Sequence, residues 1–185
     1  MPIVSPVQPT DAPITIRKHF EKGAPGPLTG TLAHVPELLQ TALPFIGSAL
    51  GASAVDFRTK EIVILRSSAL NQCRYCVNTH TVVADKAGLS RDELRALRLE
   101  KDYKEIFSCE RERTLIQWTD VTAQSSSPFS AELRAKMAQH FTESQIVELT
   151  ITIGATVMLN RYATALELPV STSHHHWLMQ EELVY

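Results

Sequence analysis

From Pro36 to Pro169 the apolar residues recur at helical spacing, punctuated by helix start and stop signals and almost nowhere by the strict alternation of a strand. Pro36 suits a first helical turn, and Leu38, Leu39, Ala42 and Leu43 follow it on one side, with Pro44 expected to kink or divide the segment. Asp56 can cap a helix running to about Leu70, whose apolar side is Ile62, Val63, Leu65, Ala69 and Leu70. Asn71 precedes a second helix, roughly Cys73 to Ala87, which Gly88 should close as the residue after the C-cap. Ser90 with Glu93 forms a capping box for a short helix through Arg98. Thr142 with Gln145 forms another for the longest helix, reaching about Glu167. Between them, Ser108 is read as opening a helix that carries Leu115, Ile116, Trp118 and Thr119. The run SSSPFS over 125–130 is read as a loop before a helix from about Ala131 to His140. The expected fold is all-α, a helical bundle.

The flanks differ in character. Residues 1–35 gather Gly23, Pro25, Gly26, Pro27 and Gly30, and are expected to form an extended arm that cannot build a core by itself. Residues 36–168 form the helical domain, and 169–185 a C-terminal tail. At 185 residues the chain suffices for one domain. Its net charge of -2, with no block of Lys and Arg, argues against nucleic acid and membrane partners. The most apolar stretch, Ile146 to Leu159, is interrupted by Glu148 and several threonines and falls short of a membrane span. A cytoplasmic location is the expectation. No phosphate loop or GxGxxG turn is present, and no cofactor is expected.

The three cysteines are too few, and odd in number, for a secreted disulfide scaffold. Two of them share one CxxC. In NQCRYCVNTH, Cys73 and Cys76 lie one helical turn apart and His80 lies one turn beyond Cys76. A helix N-terminus and an imidazole both favour a thiolate, and a second thiol within reach can condense with a sulfenic acid. Cys76, four residues before His80, gains most from the base. Cys73, nearer the helix end, is the better placed to resolve and to meet a reductant. Zinc is the rival reading, with Cys73, Cys76 and His80 as three ligands and Cys109 or a distant histidine required as the fourth. Glu61, in an otherwise apolar helix, is either solvated or paired with an arginine, or folded back to exchange protons with His80.

Glu61, the apolar helix EIVILRSSAL, the CxxC and His80 together resemble the signature of the alkylhydroperoxidase D-like (AhpD-like) family, within the carboxymuconolactone decarboxylase superfamily. The segments AGLSRDELRAL and FSCERERTLIQW, and the late helix with Asn160-Arg161, extend the similarity over residues 31 to 168. The resemblance implies an AhpD-like bundle that assembles into homo-oligomers, trimers or hexamers. It implies a peroxidase that takes a hydroperoxide as substrate and a dithiol or disulfide protein as reductant. Cys76 would be the peroxidatic sulfur, Cys73 the resolving one, His80 the base and Glu61 its relay partner. Two other classes stay open: a metal-stabilised or non-catalytic helical module, and a lactone decarboxylase of the same superfamily, although true decarboxylases lack the CxxC.

Of the remaining residues, Cys109 is read as structural, and Arg161 as paired with an acidic group or a carbonyl. The run His174-His175-His176 is read as a solvated tail or an intersubunit contact rather than a metal site.

Overall fold

The computed structural model describes residues 3–124 and 128–185. Ten α-helices follow two short 3-10 segments, Pro9–Asp11 and Ile14–Phe20, and among the described residues there is no strand. The helices are α1 Pro27–Leu32, α2 Pro36–Leu50, α3 Phe57–Leu70, α4 Arg74–Lys86, α5 Arg91–Leu97, α6 Tyr103–Ile106, α7 Glu110–Ala123, α8 Ala131–His140, α9 Glu143–Ala165 and α10 Thr172–Gln180.

Local chemistry accounts for most of the boundaries. Asp56 accepts from the Thr59 N–H at the start of α3, and Ser90 and Thr142 form complete capping boxes at α5 and α9. Burial alone would raise the Asp56 pKa, but the bonds from the Thr59 hydroxyl and N–H outweigh it and hold the carboxyl low. Gly88, at φ +89°, follows the C-cap of α4 as expected. Pro44 does not divide α2, which runs through it unbroken. The SSSPFS loop lies partly outside the described residues, at 125–127.

α3 is the centre of the molecule. It packs against α4, α7 and α9, and Ile62, Val63, Ile64 and Leu65 are buried in succession, so all sides of this helix face protein. Three of its four charged residues, Lys60, Glu61 and Arg66, are buried, each answered from another helix. Lys60 Nζ lies 2.8 Å from Glu148 Oε1 and also donates to Ala49 O and Thr152 Oγ1. Arg66 makes a two-pronged contact with Asp120, at 2.6 and 2.8 Å. Glu61 is answered by His80.

Both flanks depart from expectation. The arm is not simply extended: Ala12, Ile16 and Phe20 join Leu32, Ala33 and Leu39 in a second buried cluster against α2. Val7 N–H donates to Gly30 O at 2.9 Å, and a Cβ on Gly30 would lie 2.7 Å from the Pro6 Cβ, so only glycine admits this crossing. Residues 169–185 are not a loose tail either. α10 packs on α4, Leu178 and Leu183 enter the main core, Arg98 Nη1 donates to Leu183 O, and Arg91 pairs with Glu181. Proline and glycine density signalled irregular backbone in the arm; it did not signal that the same stretch carries enough apolar side chains to fold onto α2.

Candidate functional site

The site is built where α3 hands over to α4. Asn71 and Gln72 make the turn, with Gln72 at φ +53°, and the Cys73 N–H donates to Ser68 O at 3.0 Å. Cys73 is the N-cap of α4 and Cys76 stands in its first turn, with Cα atoms 5.3 Å apart and the two sulfurs joined as a disulfide. The Cys76 N–H points at Cys73 Sγ, 3.3 Å away, so an open helix N–H is aimed at sulfur. The pair is enclosed: Cys73 is 0% and Cys76 6% exposed, and Tyr75, Ala163 and Leu168 pack against them. Both sulfurs face an apolar interior, and Cys73, although nearer the helix end, is no nearer solvent than Cys76. The N-cap lies under the C-terminal end of α9, so the end of a helix is here not the end nearer solvent.

Glu61 on α3 and His80 on α4 are in contact. His80 Nδ1 and Glu61 Oε2 are 3.0 Å apart, with Glu61 only 2% exposed and the His80 side chain 21%. An N–H at Nδ1 donated to the carboxylate leaves Nε2 as the basic nitrogen. Among the described residues no arginine takes Glu61: of the two on α3, Arg58 pairs with Glu93 and Glu112, and Arg66 with Asp120. Among the described residues no group of three or more His, Cys, Asp or Glu is arranged to hold a metal ion. The ligand trio of the zinc reading is not assembled: the cysteines are bonded to each other and the imidazole is turned to Glu61.

Other residues fall elsewhere. Cys109 is an exposed thiol at the N-cap of α7, not a core residue. That helix starts just after it rather than at Ser108. Arg161 is exposed on α9 and makes no ion pair among the described residues, since its side of the helix faces away from α3. The His174–His176 run lies in α10. His174 is half-buried, and burial first, then the charges of Lys86 and His80, pulls its pKa below the usual histidine value. Sequence reasoning missed Tyr75, which lies inside the CxxC itself. It is half-buried against the disulfide, and burial holds its phenol protonated to higher pH than usual, against the opposing bond with Thr79. Ala163 and Leu168 carried no signal at all, being ordinary apolar residues far away in the chain.

An all-α bundle with a cysteine pair at a helix start and a Glu–His pair behind it defines a class of helical CxxC proteins. The carboxymuconolactone decarboxylase family model matches residues 36–103, from the start of α2 to α6. YdfG, an uncharacterized protein of Bacillus subtilis (strain 168), is 26% identical over 114 residues, 62% of this chain and 77% of its own. Among solved structures, the peroxidase-related AhpD-core protein of Ralstonia eutropha JMP134 superposes with TM-score 0.78 at 16% identity, covering 90% of each chain. The debrominase Bmp8, solved as a cysteine-to-alanine variant in complex with 2,3,4-tribromopyrrole, superposes with TM-score 0.77 at 18% identity, covering 96% of each. The segment that carries the cysteine pair, Glu61 and His80 thus matches the carboxymuconolactone decarboxylase family model, and the fold is that of the AhpD-core structure. Among its described residues no helix is long and apolar enough to cross a membrane.

Proposed function

We propose that the protein is a thiol-dependent peroxidase that reduces hydroperoxides with the Cys73–Cys76 pair. The observation that carries this reading is the 3.0 Å contact of Glu61 with His80, one helical turn from Cys76. In the reduced protein His80 takes the Cys76 proton, and the thiolate attacks the terminal peroxide oxygen. The O–O bond breaks, ROH leaves with a proton, and Cys76 becomes a sulfenic acid. The Cys73 thiolate then attacks the Cys76 sulfur, releasing water and closing the disulfide. An external dithiol returns two electrons and two protons to the pair. Glu61 holds the imidazole tautomer and balances its charge while it carries the proton.

Peroxide treatment of the reduced protein should remove two hydrogens from the peptide that holds both cysteines, and a dithiol should restore them, as read by mass spectrometry. Trapping Cys76 as sulfinic acid with Cys73 still free would reject Cys73 as the resolving thiol. A second reading is favoured by the full-length likeness to Bmp8: the same dithiol could remove bromine from a heteroaromatic ring, giving Ar–H, HBr and the disulfide. Bromide release from a brominated pyrrole, with no thiol oxidation by hydroperoxides, would select it.

Assembly belongs to this proposal. Leu38 and Phe45 on α2, and Val147, Ile151 and Met158 on α9, are exposed at helical spacing on packed neighbours. An apolar face of this kind fits burial against another copy, in a trimer or hexamer. Light scattering at micromolar concentration should give a multiple of 20.6 kDa, and a monomer would reject the assembly.

A further inference from the structure

We propose that the cleft between the start of α4, the C-terminal end of α9 and residues 184–185 binds an anionic amphiphile, a carboxylate on an apolar body, and presents it to the cysteine pair. The proposal rests on the peroxidase reading for what the ligand does there, but not for whether it binds. The cleft holds about 720 Å³, within the range of small-molecule sites. Tyr75, Ala163 and Leu168 line it and also pack against Cys73 and Cys76, so the cleft and the buried sulfurs share one wall.

The lining is two-sided. Leu168, Val170 and Val184 offer an apolar surface. Arg74, the first residue of α4, lies on the lining, is exposed, and makes no hydrogen bond or ion pair among the described residues. The imidazole of His175 shares the lining, as do the carboxylate of Glu167, which is not a free group, and the backbone of Tyr185. An unpartnered guanidinium above an apolar floor is complementary to a carboxylate with a hydrocarbon body, bound in two-pronged fashion. The far side of the cleft is held in place: Asn78 accepts from the Tyr185 N–H at 2.9 Å and donates to its carbonyl at 3.3 Å. That clamp ties the cleft wall to the helix that carries the cysteines.

Calorimetric titration of the full chain with dodecanoate and with dodecanol tests the site without any turnover. Wild type should bind dodecanoate saturably and about 10-fold or more tighter than the neutral alcohol, the scale of one charge-assisted contact. Arg74→Gln should remove that preference and leave the alcohol unchanged. Thr164→Trp, at an exposed lining position, should abolish both, with the melting temperature of each variant checked against wild type. No saturable dodecanoate binding, or binding indifferent to Thr164→Trp, overturns the proposal; the latter would move the ligand to the α2–α9 face. Binding that obeys both variants in a protein whose thiols no hydroperoxide oxidises would uphold the cleft and sink the peroxidase reading. Thiol oxidation by hydroperoxides without dodecanoate binding would do the reverse.

Discussion

Replacing His80 by glutamine is expected to slow oxidation of the reduced cysteine pair about 100-fold at neutral pH, the usual contribution of a positioned base. The gap to wild type should close as pH rises and solvent deprotonates the Cys76 thiol without help. Glutamine is the informative choice because the structure makes His80 a hydrogen-bond partner as well as a base. Glu61 is 2% exposed, and alanine at 80 would strand its carboxylate, adding a stability loss that obscures the kinetic one. Glutamine offers an N–H to the carboxylate but no basic nitrogen. Glu61→Gln should give a smaller loss with the same pH trend, since the imidazole remains and only its anchor changes. Stopped-flow thiol oxidation from about pH 6 to about pH 10, the span set by imidazole and thiol titration, reads both. If His80→Gln oxidised at the wild-type rate throughout, the cysteines would be acting without the relay.

Replacing Glu148 by alanine should destabilise the fold by about 3–5 kcal/mol, the scale of stripping one partner from a buried ion pair. Lys60 is the reason. Its side chain is 0% exposed and its ammonium is held by Glu148, by the Ala49 carbonyl and by Thr152, so loss of the carboxylate leaves a cation with two neutral acceptors. The same carboxylate accepts from the Ala54 N–H, which ties the α2–α3 connection to α9. Urea unfolding followed by circular dichroism measures the loss. The double replacement Lys60→Met with Glu148→Leu should cost less than Glu148→Ala alone, because removing both charges also removes the desolvation cost. A Glu148→Ala variant within about 1 kcal/mol of wild type, the scale of a surface ion pair, would show that water reaches Lys60 in solution.

The spacing of the candidate site residues was more legible than their surroundings. Cys73, Cys76 and His80 lie within eight consecutive residues, and a helix repeat places them on one side whatever else the chain does. Glu61 was a candidate with two readings, and the choice between them depended on which helix α3 faces. Glu61 meets α4, while Arg66 is drawn off to Asp120 on α7. Arg161 shows the opposite failure. It was expected to need a partner because it sits in an apolar helix, but that helix exposes one side, and the arginine is on it.

What the amino-acid sequence determined by itself is most of the helices between residues 36 and 168 and the spacing of the candidate site residues. Caps at Asp56, Ser90 and Thr142 and the stop at Gly88 act through bonds three to five residues long, and no distant part of the chain is needed to satisfy them. Tertiary structure alone decided burial. It enclosed Cys73 at a helix end that would face water in an isolated α4, by laying Ala163 and Leu168 across it. It folded the proline-rich arm onto α2 and wedged α10 against α4, through apolar contacts between residues far apart in the chain. The cleft beside the disulfide, with Arg74 at its edge, exists only because those separate segments converge there.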